Sequence, residues 1–447
     1  MVRRRAPWFV VAILFLFWAY DIYDNQLGEA AQTPPKASLD ASLTFLDRIL
    51  RMEEIAEKEG PFVRWISEPD QKETLREART ALEAAENDED FDENAARALA
   101  IIRNELDSPQ ADNSKLDALT RSALEKKPAG GEEIRGLSEK LSSGDGEWWD
   151  ARLARLLLTR QPDPSLEAAL AVQQSIDRGL FFRDLTSNGV VWLLSIIGLV
   201  FIPHTIRVIR SGWTIASLHR PVRYGSRWEP SLIVALLLAG DLLASYFVIG
   251  AYEATASMET GFIFDVVVDT LWRLLAPVLA LIVLFRKPSH AIRSLGLDTS
   301  PSWKVILATY AFLSWLQFGY GMLIEPWSEF DPTGGLDLME NGWGGLIYGL
   351  LSACILAPIA EETFYRGLLL RGLERRFGFW ISAMVVTLAF ALAHSYDVFG
   401  LISVGMVGFT LVVIYRTTGS LTTVILIHAL YNLTITVPEW LTFHTKP

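Results

Sequence analysis

Three short stretches near the end of the chain hold residue types that do acid–base or metal chemistry. They are "EETFYR" (Glu361 to Arg366), "FALAH" (Phe390 to His394) and "HALYN" (His428 to Asn432). On a helix, Glu362 and Arg366 stand one turn apart and can pair; Phe390 shares a face with His394, and His428 with Asn432. The stretches lie in apolar runs, where an ionised group costs about 2.5–3.5 kcal/mol even on the lenient insertion scale. Only six histidines exist in the chain, and two of them are here. An unpaired carboxylate in a low-dielectric cavity holds its proton, a paired one stays charged, and a neighbouring imidazole can share the proton. Pairing Glu362 with Arg366 therefore lets the adjacent glutamates differ in role. A zinc reading uses the same side chains, with His394, His428 and a glutamate as ligands and water in the fourth position.

Each stretch also has a plain structural reading. Glu362 with Arg366 is more often an ion pair than a site. A histidine such as His394 can bond a backbone carbonyl, and HxxxN can be glue between membrane helices. Thr363 and Tyr365 read as packing beside the glutamates. The three stretches weigh more together than singly, because their depths agree. Glu361 lies 14 residues before Arg375, about 21 Å along a helix. His394 lies 15 residues after Phe379, about 22 Å, and Asn432 lies 12 after Ser420, about 18 Å, with His428 at about 12 Å. This match requires the glutamate helix to run on to about Arg371, with Pro358 bending it rather than ending it.

The elements that must hold these residues are apolar runs at roughly 190–206, 231–251, 262–285, 303–324, 343–372, 379–399, 400–416 and 420–437. With the run from Trp8 to Tyr20 they make about nine spans. The fold class is thus all-α, a polytopic transmembrane helical bundle. Arg207, Arg210, Arg220, Arg223 and Arg227 follow the second run; Arg286, Lys287, Arg293 and Lys304 follow the fourth. Arg371, Arg375 and Arg376 follow the sixth and Arg416 the eighth, whereas "YEATASMETG" and "EPWSEFDPTGGLDLMEN" are acidic. Every basic loop therefore shares the side of Arg3, Arg4 and Arg5, which is the cytoplasm. Asp241, mid-run, is a functional candidate by default. Arg273 is a partner for it, with Asp269 one turn earlier, and we read them as a structural link between helices.

Residues 24–185 differ in kind. They hold 34 acidic and 21 basic side chains, a net of −13 within a chain whose net charge is −12. "SLTFLDRILRMEEIAEKEG", "KETLREARTALEAAEN" and "WWDARLARLLLTRQ" have helical apolar spacing, separated by Pro-, Gly- and Asp-rich breaks. We expect an exported helical domain that repels nucleic acid and anionic headgroups, with a docking or spacer role open to a protein partner. The boundaries are 1–23 for a signal anchor, 24–185 for this domain, 186–330 for membrane helices and 343–437 for a core that carries the three stretches. No A-x-A site follows the first run, which favours a retained anchor over a cleaved signal. The lone Cys354 excludes an intrachain disulfide.

EExxxR, FxxxH and HxxxN, in this order on successive membrane helices, resemble the CAAX prenyl protease and bacteriocin-processing family, also called the abortive-infection family of intramembrane proteases. The resemblance covers about residues 343–437. It implies an intramembrane endopeptidase of the bacterial inner membrane that cuts a membrane-associated protein or peptide. It also implies that Glu361, aided by His394, activates a water, that His428 and Asn432 stabilise the oxyanion, and that Glu362 and Arg366 brace the site. No cofactor is required by this reading; a divalent metal such as zinc would use Glu361, His394 and His428. The chain has no HExxH, no presenilin-type GxGD, no rhomboid-type GxSx ahead of a paired His and no P-loop. Rival readings are a non-enzymatic scaffold or immunity protein of the same fold, and a transporter with a relay through Asp241, Arg273 and the glutamates.

Overall fold

The computed structural model describes residues 6–27, 39–61, 63–64, 71–86, 91–106, 116–219, 229–255, 261–285, 287–324, 342–394, 396 and 398–443. Arg3, Arg4, Arg5, Arg220, Arg223, Arg227, Arg286, the side chain of Arg375 and most of the two acidic loops lie outside them. The described residues are almost wholly helical and fall into two compact units.

The first unit draws on Pro35–Gly189. Helix α1 (Trp8–Leu27) belongs to the other unit; this one holds α2 (Leu39–Lys58), α3 (Gln71–Ala85), α4 (Glu93–Glu105), α5 (Ala118–Leu124), α6 (Gly131–Ser143), α7 (Trp148–Leu158) and α8 (Pro164–Leu199) as far as Gly189. Aspartates start three of them, Asp163 accepting from Leu166 N at 3.0 Å at the start of α8. Asp92 accepts from Ala95 N at 2.8 Å and Asp117 from Thr120 N at 2.8 Å, satisfying backbone donors that a helix start leaves open. Trp148, Trp149, Leu50, Leu99, Ile101 and Leu153 are enclosed in its core. Charges are buried only in groups. Arg97 reaches Asp117 at 3.0 Å and Asp150 at 2.8 Å, and Glu54 takes Arg155 at 2.6 Å, Arg152 at 3.4 Å and Lys58. Burial alone would raise the Glu54 carboxyl; the Arg155 hydrogen bond and the three cations reverse this and hold it at about 2.

The second unit draws on Met1–Pro34, Val190–Glu329 and Asn341–Val437. It contains α1 (Trp8–Leu27), α9 (Ile202–His219), α10 (Pro230–Thr255), α11 (Phe262–Leu284), α12 (Pro288–Leu295) and α13 (Trp303–Ile324). They are followed by α14 (342–370), α15 (Arg371–Leu392), α16 (Val398–Thr418) and, as far as Val437, α17 (Leu421–Phe443). Seven helices among the described residues are long and apolar enough to cross a membrane, by length and composition. The apolar helices Trp8–Tyr20 and Arg376–Leu392 are shorter, so two of the nine expected runs fall below full-span length. Large apolar side chains such as Leu16, Ile263, Ile282 and Leu323 face outward, as lipid rather than water would solvate them. The chain is a multi-pass membrane protein.

Two features of α14 and α15 set the site. Pro358 neither ends the helix nor leaves it regular: wider π turns occupy Ser352–Leu356 and Glu362–Leu370. In this register Ala357 N–H bonds Ser352 O, so the Ala353 carbonyl would need an N–H from residue 358, and proline has none. Further on, α15 breaks at Gly378, whose φ of 75° a side chain resists. Helix α11 packs against α14, and α15 against α16.

Candidate active site

Glu362 lies on the first π turn after Glu361 and is fully enclosed, as is Arg366. Arg366 Nη1 donates to Glu362 Oε1 at 2.9 Å, and Arg366 Nη2 donates to the Gly408 carbonyl at 3.0 Å. The same Glu362 oxygen stands 2.9 Å from His428 Nδ1. The other nitrogen of that ring, Nε2, is 4.0 Å from Glu361 Oε2, a buried oxygen with no hydrogen-bond partner among the described residues. An Arg–Glu–His chain thus ends opposite the second glutamate. In the Nδ1–H tautomer His428 donates to the oxygen that Arg366 also bonds, and Nε2 is turned toward Glu361.

Phe390 is the packing centre. Its ring lies 4.3 Å from the Arg366 guanidinium, 4.9 Å from the His394 ring and 6.2 Å from the His428 ring. Gly408 makes room for it: a Cβ there would stand 2.8 Å from Phe390 Cδ1.

His394 is placed differently from its expected mid-helix position. Helix α15 ends at Leu392, and His394 follows in the turn. Its Nδ1 is 2.8 Å from the Phe390 carbonyl, one of the carbonyls that a helix end leaves open, and its ring stacks on Tyr396. The histidine in ion-pair range of Glu361 is His428. Asn432 donates Nδ2 to Ala353 O at 2.6 Å, the carbonyl that Pro358 leaves without a helical donor.

Arg273 is the residue whose place in the site sequence reasoning missed. Its Nη1 is 3.9 Å from Glu361 Oε1, while its Nε donates to both oxygens of Asp269 at 2.9 Å. Asp241 instead accepts from Trp18 Nε1 of α1 at 3.0 Å. The signal was an arginine in a membrane run with an acid one turn before it, but the sequence does not say which helix it faces.

Among the described residues, no three His, Cys, Asp or Glu side chains are disposed to hold a metal ion together. Glu361, His394 and His428 as they stand do not make the three-ligand set of the zinc reading, and no step below runs through a metal.

Residues 343–434 match the family model described as "Type II CAAX prenyl endopeptidase Rce1-like". The match agrees with the family that the three motifs resemble, and it spans Glu361, Glu362, Arg366, Phe390, His394, His428 and Asn432. No curated protein and no solved structure matches the chain.

Proposed function

We propose that the protein is an intramembrane endopeptidase that hydrolyses a peptide bond of a membrane-associated protein or peptide. One observation carries this reading. Inside the segment that matches an endopeptidase family, a buried Arg366–Glu362–His428 chain faces, across 4.0 Å, an oxygen of Glu361 that has no hydrogen-bond partner among the described residues. A water between Glu361 Oε2 and His428 Nε2 gives a proton to one of them as its oxygen attacks the scissile carbonyl carbon. The proton then passes to the leaving nitrogen as the C–N bond breaks. Asn432 keeps a second amide N–H beyond the one on Ala353, and with His394 it is assigned to the oxyanion side. Glu362 Oε1 is occupied by Arg366 and His428, whereas Glu361 Oε2 faces the water position, so the two glutamates take different roles. The basic loops are assigned to the cytoplasm, and the acidic domain to the far side of a bacterial inner membrane.

The test compares new protein N-termini in membranes of cells making wild type or Glu361→Gln at equal levels. Ends present only with the wild type are expected. Identical profiles would favour a non-enzymatic scaffold of the same fold.

A further inference from the structure

Asp265, Asp269 and Arg273 recur every four residues on α11 and share one face of a membrane helix. The last two are not a self-contained pair. Asp269 also accepts from Ser352 Oγ of α14 at 2.7 Å, and Arg273 extends Nη1 to 3.9 Å from Glu361 Oε1. That separation is beyond a hydrogen bond. Left alone beside a carboxylate in a low dielectric, a guanidinium closes to two parallel bonds of about 2.8 Å. Here its Nε is committed to both oxygens of Asp269, and Ser352 fixes Asp269 in turn. The guanidinium is thereby held short of Glu361, and Glu361 Oε2 keeps its place opposite His428.

We propose that Arg273 is a positioning residue for Glu361, and that Asp269 with Ser352 is the tether that stops it from capturing that carboxylate. The inference deepens, and rests on, the reading of Glu361 as the base. Arg273 supplies positive charge beside one oxygen while the other stays available to water. Without the tether the same cation becomes an inhibitor, because it takes both oxygens.

The experiment uses full-length protein in membranes, with the Glu361-dependent N-termini as its readout. Asp269→Asn should lower their yield at least tenfold. Asp269→Asn/Arg273→Gln should recover at least threefold over Asp269→Asn, since the released cation is gone. A purely structural pair regains yield only as far as it regains accumulation and unfolding temperature, because the second substitution removes an unpaired buried charge; the proposed tether requires recovery in yield per folded protein. Accumulation and thermal unfolding are followed for every variant. Should Asp269→Asn fail to accumulate, Ser352→Ala loosens the tether without removing a charge; a loss of about threefold is expected, again relieved by Arg273→Gln. Wild-type yield from Asp269→Asn or Ser352→Ala, or a double variant no better than its tether-only parent, overturns the inference while leaving Glu361 as the base. Ends that survive Glu361→Gln would sink that underlying reading, and this inference with it.

Discussion

Glu362 presents one oxygen to both Arg366 and His428, so its charge has a structural and a chemical consequence that variants can separate. Glu362→Gln leaves the Arg366 guanidinium buried and uncompensated, which costs about 3–5 kcal/mol. Glu362→Gln/Arg366→Met should regain much of that stability in thermal unfolding. It should not regain activity, because His428 still lacks the carboxylate that orients it; a double variant that cleaves like wild type would refute this role. Gly408→Ala pushes a Cβ into Phe390 beside the Arg366 contact and should cost about 1–3 kcal/mol, the usual range for overpacking. At this scale the Glu362–Arg366 pair was legible because both partners share one helix turn. The bond from His428 to Glu362 spans 66 positions, and nothing in local spacing specifies it. His394 and Asn432 each make the plain backbone bond that their residue type allowed.

At the scale of elements, Pro358 is the informative residue. It was legible as a bend; the π turns that absorb it were not, since they depend on which carbonyl finds an outside donor. Pro358→Ala restores an N–H that Ala353 O can accept, in competition with Asn432. That bond completes the π turn and releases Asn432, which should shift Glu361 and Glu362 relative to α17. We expect cleavage to fall at least tenfold with unfolding temperature unchanged or raised; unchanged cleavage would show that the π register does not set the site. In the acidic domain, Glu54 ties α2 to α7. Its carboxyl sits at about 2 in the folded chain against 4.5 ordinarily, so its stabilisation is present above pH 4.5 and lost as pH falls toward 2. Hydrogen exchange of α2 and α7 should accelerate across that window, and Glu54→Gln should flatten this dependence. Equal pH dependence in both proteins would remove Glu54 from the account.

For the whole molecule, the division into an acidic helical part and an apolar bundle was plain in the sequence, because charge and apolar runs segregate along it. Among the described residues the nine apolar runs fall mainly on helices, but two of these helices are below full-span length. One contains the break at Gly378 and ends at Leu392, before a turn that hydropathy alone reads as membrane. How helices distant in sequence face one another was not legible, and that is where Arg273 and Trp18 find their partners.

The central claim is hydrolysis at Glu361. The most direct measurement takes washed membranes from cells making Glu361→Gln, which hold uncut substrate, and adds purified wild-type protein in water enriched in oxygen-18. The account expects new protein ends whose C-terminal carboxyl carries one labelled oxygen, and none when purified Glu361→Gln or His428→Gln is added instead. Labelled ends that form equally with Glu361→Gln, or no new ends with wild-type protein that folds and inserts normally, would contradict it.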